Sequence, residues 1–430
     1  MRPPLPSNTP APASSPLPGA SPKSITGPVR GSATSAAAAP ASIDGEVRRI
    51  LILRALVLGD TICAVPALRA IRRAWPQAHI ALMGLPVARE YLSRLDCVDE
   101  WRPFPGWPGL PEREPDVRAL PAFLAAMHAS DWDLAIQLHG SGERTNPFLA
   151  LLGARWHAGF RSDAAWVPPA DEARFAPWPL LGHETQRLLS LCRHLGLPAD
   201  DDTLEFPLRE EDDAALAQAW PGRTQTDPYA CLHVGAQLAS RRWPLRRFAA
   251  VAQALHDAGL AIVLTGTAAE RPLTGEFAAM LAALGVPVTD LSGATTLWTL
   301  GALLRDARVL VCNDTGVSHV AAALRVPSVV LSCGSEPMRW APPDRARHRV
   351  LAKPAPCRPC AYPECPNGHA CAHALSVFEV LQALEDLLGS SAPSIPSVAI
   401  SKEGPHAPSP AHPDLARPRQ LPLQPHAGSA

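Results

Sequence analysis

Short apolar runs recur along the chain, and most are followed by a stretch in which apolar residues return every three or four positions. Residues 50–53, Ile-Leu-Ile-Leu, are the first such run and read as a strand buried on both faces. Beyond Gly59-Asp60-Thr61, residues Ile62, Val65, Leu68, Ile71 and Trp75 fit one face of a helix that Pro76 stops. Residues 79–83 form a second run ending at Gly84, and residues 131–138 a third that leads into His139-Gly140-Ser141-Gly142. The pattern weakens over 206–228, where charge, Pro221-Gly222 and Asp227-Pro228 interrupt it, and we place an inter-domain linker there. It restarts with a strand at 229–233, and Phe248, Val251 and Leu255 lie on one face of the next helix. Strands at 261–264, 308–312 and 328–332 and helices at 296–304 and 316–324 complete the second series. Strands alternating with helices predict βαβ units, and so an α/β protein of two Rossmann-like parallel-sheet domains. Ligands of such sheets bind beyond the carboxyl ends of the strands, which is where the motifs below fall.

Composition restricts this picture to the middle of the chain. Of 49 prolines in 430 residues, ten lie in residues 1–45 and nine in 391–430, and neither stretch holds a Phe, Trp or Tyr. Such segments cannot bury enough apolar surface to offset the entropy of ordering, so both ends are expected to be disordered tails. The expected domains are then 46–215 and 216–390. Lys+Arg number 39 and Asp+Glu 40, a net charge of −1 that argues against a nucleic-acid partner. The first residues lack the apolar run of a secretory signal, and no stretch reaches the ~18 apolar residues of a membrane span. A cytoplasmic protein is expected.

Four stretches carry candidate chemistry. Gly59-Asp60 follows a strand and opens a helix, so Asp60 is either an N-cap or a carboxylate held in the cleft as a general base. The glycine lets a substrate approach the backbone closely. In Asn313-Asp314-Thr315-Gly316-Val317-Ser318-His319, an apolar strand ends in Asp-Thr-Gly and a small apolar helix begins. Free backbone N–H groups and the helix dipole suit that turn to a diphosphate, with His319 one turn further in. Arg241 and Arg242, after the strand at 229–233, could neutralise phosphates through bidentate hydrogen bonds. Glu270, beyond Thr265-Gly266, could take a ribose hydroxyl.

Ten cysteines are present. Six are scattered, mostly in apolar runs, and read as buried thiols. Cys357, Cys360, Cys365 and Cys371 cluster, with His369 and His373 among them. Zinc, an iron–sulfur cluster, a disulfide pair and reduced thiols are all compatible with that spacing.

In their order and spacing these stretches resemble glycosyltransferase family 9, the ADP-heptose:lipopolysaccharide heptosyltransferases. The resemblance covers roughly residues 50–388. It rests on Leu58-Gly59-Asp60-Thr61-Ile62, the run at 133–138 with its glycine-rich exit, Leu232-His233-Val234-Gly235, Arg242-Trp243-Pro244, Leu264-Thr265-Gly266, the 313–319 turn, Trp340-Ala341-Pro342 and the cysteine cluster. The resemblance implies a GT-B fold with an N-terminal acceptor domain and a C-terminal nucleotide-sugar domain. It also implies inverting, metal-independent transfer that needs no cofactor. By motif match Asp60 is the base, and Gly59, Arg241, Glu270, Asp314, Thr315, Gly316 and His319 bind the donor, ADP-heptose. The acceptor is a glycolipid or glycan of the lipopolysaccharide core type, which implies contact with the inner face of the inner membrane. Arg241 stands where the family usually carries Lys, which keeps the charge and changes the geometry. Two rival readings are a sugar-nucleotide epimerase on the same fold and a non-catalytic member acting as a binding protein. The first would need further acid–base groups lining the cleft, and the retained Asp60 and 314–319 turn speak against the second.

Overall fold

Ile50, Leu51, Ile52 and Leu53 are fully buried, because their strand lies in the middle of a parallel sheet with helices on both faces. The computed structural model describes Ile43 and residues 45–224 and 227–389. Apart from Ile43, which packs against the core, and Gly45, the tails expected at 1–45 and 391–430 lie outside the described residues. The first half builds a six-stranded sheet from β1 (Arg49–Leu53), β2 (His79–Gly84), β3 (Glu100–Pro103), β4 (Leu134–Gln137), β5 (Trp156–Arg161) and β6 (Phe175–Pro177). Its order is β3-β2-β1-β4-β5-β6. The second half builds another from β7 (Tyr229–His233), β8 (Ala261–Leu264), β9 (Val288–Asp290), β10 (Val309–Asn313), β11 (Ser328–Ser332) and β12 (His348–Ala352), in the order β12-β11-β10-β7-β8-β9. Every neighbouring pair is parallel.

Each sheet, counted from its own first strand, has the order 3-2-1-4-5-6. The order reverses between β1 and β4 in one sheet and between β7 and β10 in the other, and a crevice for ligands opens at such a point. Ile50 sits between Ile80 and Leu134, and Leu232 pairs with Val311, so both switch points are lined by apolar strands that fix the register. One continuous apolar cluster runs from the first half into the second through the helices Leu58–Ala74 and Gly316–Ala323. No helix among the described residues is long and apolar enough to cross a membrane.

The 206–228 stretch differs from the expected linker. It contains the helix Glu210–Ala219, whose four acidic residues occupy the first turn. Asp212 and Leu216 are its buried residues. Arg94 pairs with Asp212 and Arg305 with Asp213, while Phe206 stacks with Tyr91 and Trp298. Charge placed at a helix N-terminus is stabilising, so the run that broke the apolar pattern is itself a helix start.

Candidate active site

The first turns of two helices, one from each half, meet at the switch points. Gly59 lies in the first turn of Leu58–Ala74, and a Cβ built there would stand 2.6 Å from His319 Cδ2 and 3.4 Å from the Gly316 Cα. Any side chain at 59 would therefore displace the His319 ring, while it would only touch the Gly316 main chain. Helix N-termini carry N–H groups left over from the intrahelical ladder and a positive dipole end, so the place where these two starts come close suits an anion.

Asp60 is not an N-cap. Val57 occupies that position without a side-chain cap bond, and Asp60 sits in the first helical turn. It is 4% exposed, and burial pushes its carboxyl up to about 6; Arg54, Arg339 and His139 oppose the rise, and Glu184 adds to it. Arg54 holds the main chain of this residue, with Nε and Nη2 donating to Asp60 O at 3.0 and 2.8 Å. The carboxylate itself stands 3.8 Å from Arg54 Nη2, beyond hydrogen-bond range. His139, at the exit of β4, accepts from the Ala55 N–H at Nδ1 (3.1 Å) and faces Glu112 Oε1 with Nε2 (3.1 Å), so its proton lies on Nε2.

The second half supplies the donor-side groups. Asn313 ends β10 and fastens the 234–243 loop: its Oδ1 accepts from Trp243 N at 2.9 Å and its Nδ2 donates to Val234 O at 2.9 Å. Asp314 is buried, which raises its pKa, while the hydroxyl of Ser335, Arg241 and Arg358 pull it back; Ser335 Oγ donates to Oδ2. Thr315 is the N-cap of Gly316–Ala323, and its buried hydroxyl has no partner among the described residues. Arg241 is likewise buried; Nη2 donates to Cys360 O at 2.8 Å, and Nε is unpartnered among the described residues. Its neighbour Arg242 turns away, donating to Ala236 O at 3.0 and 2.8 Å. Arg241 thus keeps a buried Nε unpartnered among the described residues, while Arg242 turns its Nε and Nη2 back onto its own loop. His319 is closed in by the first half: Nδ1 is 3.4 Å from Cys63 Sγ, and burial holds its pKa down at about 4, so it is neutral at pH 7.

Glu270 accepts at Oε2 from Thr267 N (2.8 Å) and Thr267 Oγ1 (3.0 Å), closing a capping box. Its other oxygen lies against Gly235, where a Cβ would come within 1.9 Å. His233 of β7 hydrogen-bonds Thr265 Oγ1 through Nδ1 at 3.1 Å. The structure thus brings Gly59, Asp60, Gly316 and His319 together, sets Asp314, Thr315 and Arg241 around the end of β10, and leaves Glu270 capping a helix beside Gly235.

The clustered cysteines do not gather as a ligand set. Among the described residues no three His, Cys, Asp or Glu side chains are placed to hold a metal ion, and all ten thiols are free. Cys360 is buried, its Cβ close to Gly334 and its Sγ 3.7 Å from Ser240 Oγ, while Cys357 and Cys365 are half-buried. The segment instead backs the arginine loop: Ser240 N donates to Pro363 O at 3.1 Å. In this arrangement the four clustered cysteines are free thiols, Cys360 and Cys371 buried and Cys357 and Cys365 half-buried, in a loop packed on Ser240.

Sequence reasoning missed Arg54, His139, Glu184 and Arg339. A cation directly after a buried apolar run is the one signal that pointed to Arg54; Glu184 and Arg339 carry none.

A family model, glycosyltransferase family 9 (heptosyltransferase), matches residues 122–371. Lipopolysaccharide heptosyltransferase 2 of Escherichia coli strain K12 is 27% identical over 320 residues, covering 70% of this chain and 87% of that protein. Lipopolysaccharide heptosyltransferase 1 of Pseudomonas aeruginosa PAO1 is 27% identical over 330 residues, covering 74% and 87%. Among solved structures, E. coli ADP-heptose lps heptosyltransferase II aligns with a TM-score of 0.61 at 22% identity, over 79% of this chain and 98% of that one. The fold is accordingly that of the GT-B heptosyltransferases, two facing parallel sheets.

Proposed function

This chain belongs to glycosyltransferase family 9, and on that premise we propose that it moves a heptose from ADP-heptose to a sugar hydroxyl of a lipopolysaccharide-core-type acceptor. The transfer inverts the anomeric carbon and uses no metal ion. Residues 46–215 take the acceptor and residues 216–390 the donor, with the enzyme working at the inner face of the inner membrane, where a glycolipid acceptor would lie. The donor is the nucleotide-sugar for which the E. coli structural neighbour is named.

Asp60 accepts the proton of the attacking hydroxyl. A carboxylate poised at about 6 is ionised at pH 7 yet more basic than an ordinary one, as a general base requires. The leaving diphosphate lies across the converging helix starts at Gly59 and Gly316, where backbone N–H groups and the dipoles receive its charge. Arg241 Nε and the Thr315 hydroxyl, both without protein partners among the described residues, donate to its oxygens. Neutral His319 adds a hydrogen bond rather than a charge. Asp314 holds the loop through Ser335, and Glu270 stands at the ribose.

The single observation that carries this reading is the contact of Gly59 with Gly316 and His319, because it sets a candidate base from one half beside a phosphate-type turn from the other. The test is transfer from ADP-heptose to heptose-deficient lipopolysaccharide core in buffer with EDTA, with the product's anomeric configuration read by NMR. An inverted linkage formed at full rate in EDTA is expected. Retention of configuration, or activity restored only by a divalent cation, would overturn the mechanism.

A further inference from the structure

The buried charges beside Asp60 form a chain that the reaction above leaves unused. Glu184 opens the helix Glu184–His194 of the first half and is 1% exposed. Its Oε1 accepts from Arg54 Nη2 at 3.1 Å, its Oε2 accepts from Arg339 Nε at 2.7 Å, and Arg187 Nη1 lies 3.6 Å from Oε2. These cations more than offset the burial that pushes Glu184 up, and its carboxyl is held at about 2. Arg54 gives its other donors to main-chain oxygens, those of Asp60 and Leu138.

Arg339 comes from the opposite half, from the short helix Pro337–Trp340 after β11. Its guanidinium lies 4.6 Å from the Trp340 ring, and Trp340 meets His319 edge-on at 6.2 Å. One carboxylate therefore takes a guanidinium from each side of the cleft. Removing it would leave two buried cations, Arg54 and Arg187, and the half-buried Arg339 without the acid they share, the situation in which buried charge is most costly.

We propose that Glu184 is the positioning residue of this site: by tying Arg54 to Arg339 of the opposite half, it holds the Asp60 main chain in register when the two halves are together. Glu184 acts through Arg54 and touches no reacting atom. The kinetic part of the proposal rests on Asp60 being the base.

Two measurements test it, one of them independent of the reaction. The first follows the Asp60 carboxyl by NMR of 13Cγ-aspartate-labelled protein, with Asp60→Asn assigning the signal. The groups acting on Asp60 are Arg54 and His139 from the strand exits, Cys63 from its own helix, Glu184, and Arg241 and Arg339 from the second half, with His319 beside the adjacent Gly59. Glu184→Gln removes the one carboxylate acting on Asp60 among the described residues, so the titration should move to lower pH by roughly one unit or more. Arg339→Gln removes a cation and should move it the opposite way. The second measurement is transfer from ADP-heptose. In Glu184→Gln, kcat should fall about 10²-fold with donor affinity unchanged, the size of loss expected when a reacting group is misplaced by an ångström. Glu184→Asp should recover part of it.

A folded Glu184→Gln protein whose Asp60 titration stays in place would overturn the proposal. So would shifts of the same sign in both variants, or a fall in kcat matched by an equal loss of donor affinity. Should Glu184→Gln fail to fold, Arg339→Gln, whose side chain is at the edge of the network, breaks the same tie: an unmoved Asp60 titration there overturns the proposal equally. Wild-type transfer rates in Asp60→Asn would end the base reading alone, since the titration still judges Glu184.

Discussion

Two buried aspartates face the same cleft from opposite halves and are held in different ways. Asp314 is tied down at its carboxylate, which accepts the Ser335 hydroxyl and lies in the field of Arg241 and Arg358. Asp60 is tied down at its main chain by Arg54, while its carboxylate stays out of hydrogen-bond range of that cation. Burial raises both. A carboxylate with an oxygen held by a hydroxyl suits a scaffold; one fixed from behind at its main chain leaves its carboxylate freer to receive a proton. On the proposed reading, it is the position of the restraint, rather than burial or charge, that would set Asp60 apart as the base from Asp314 as a structural acid.

The largest expected effect follows from that difference. Asp60→Asn should leave folding and donor affinity intact and lower kcat by roughly 10²–10⁴-fold, the usual contribution of a positioned base. Asp314→Asn keeps an oxygen that can accept from Ser335, so its loss of transfer should be about tenfold or less, in line with one weakened buried hydrogen bond. Equal losses in the two variants would erase the distinction. The pH profile sharpens it. Asp60 must be ionised to act, so transfer should rise with pH through about 6 and level off above it. The same limb should persist in Asp314→Asn. A profile already flat at pH 5 would place the ionisation of the base below that pH and count against a buried Asp60 in that role.

Next in size is the donor side. Arg241→Ala should weaken ADP-heptose binding by about 1.5–3 kcal/mol, the range for a hydrogen bond to a charged group, measurable by calorimetry. Arg242→Ala should change donor affinity far less, since its Nε and Nη2 are turned back onto Ala236 O. Gly59→Ala then tests whether the two aspartates depend on one contact. Its Cβ would overlap the His319 ring, and overpacking of that kind costs about 1–3 kcal/mol, read as a lower midpoint in urea unfolding. Donor affinity should fall with it, because the displaced His319 is one of the proposed donor contacts. A Gly59→Ala protein of unchanged stability would show that the halves adjust freely at this point.

The same contrast explains what could be read in the chain beforehand. Strands β7, β8 and β11 lie where the apolar runs put them, because strands buried on both faces are continuous hydrophobic stretches. Edge strands β3 and β9 gave no such run, being short and half-exposed, and the helix Glu210–Ala219 hid behind its acidic first turn. In the site, Asp60 and the 313–319 turn were legible because glycine, acid and strand end fall side by side in the chain. The restraints were not. Arg54, Glu184 and Arg339 are separated by 130 and 155 positions, and each alone looks like an ordinary surface charge. Asp60 as an N-cap was the local alternative, and it failed because the helix starts two residues earlier, at Leu58.

The smallest expected effect concerns Glu270, where local and ligand-binding roles compete for one carboxylate. Oε2 already accepts from the Thr267 N–H and hydroxyl, and Glu270→Gln retains an oxygen that can do the same. As a cap, then, Gln should cost a few tenths of a kcal/mol in stability at most. The other oxygen, against Gly235, is the one available to a ribose hydroxyl. If Gln places its oxygen in the cap, its NH2 faces Gly235 and can no longer accept from the ligand. Donor affinity should then fall by about 0.5–1.5 kcal/mol, the net worth of one hydrogen bond, with thermal stability unmoved. Comparing ADP with its 2′,3′-dideoxy analogue isolates the ribose: the wild type should prefer ADP by that amount and Glu270→Gln should not. A Glu270→Gln protein that keeps the full preference would reduce Glu270 to a capping residue. The donor side would then recognise its nucleotide through the diphosphate groups alone.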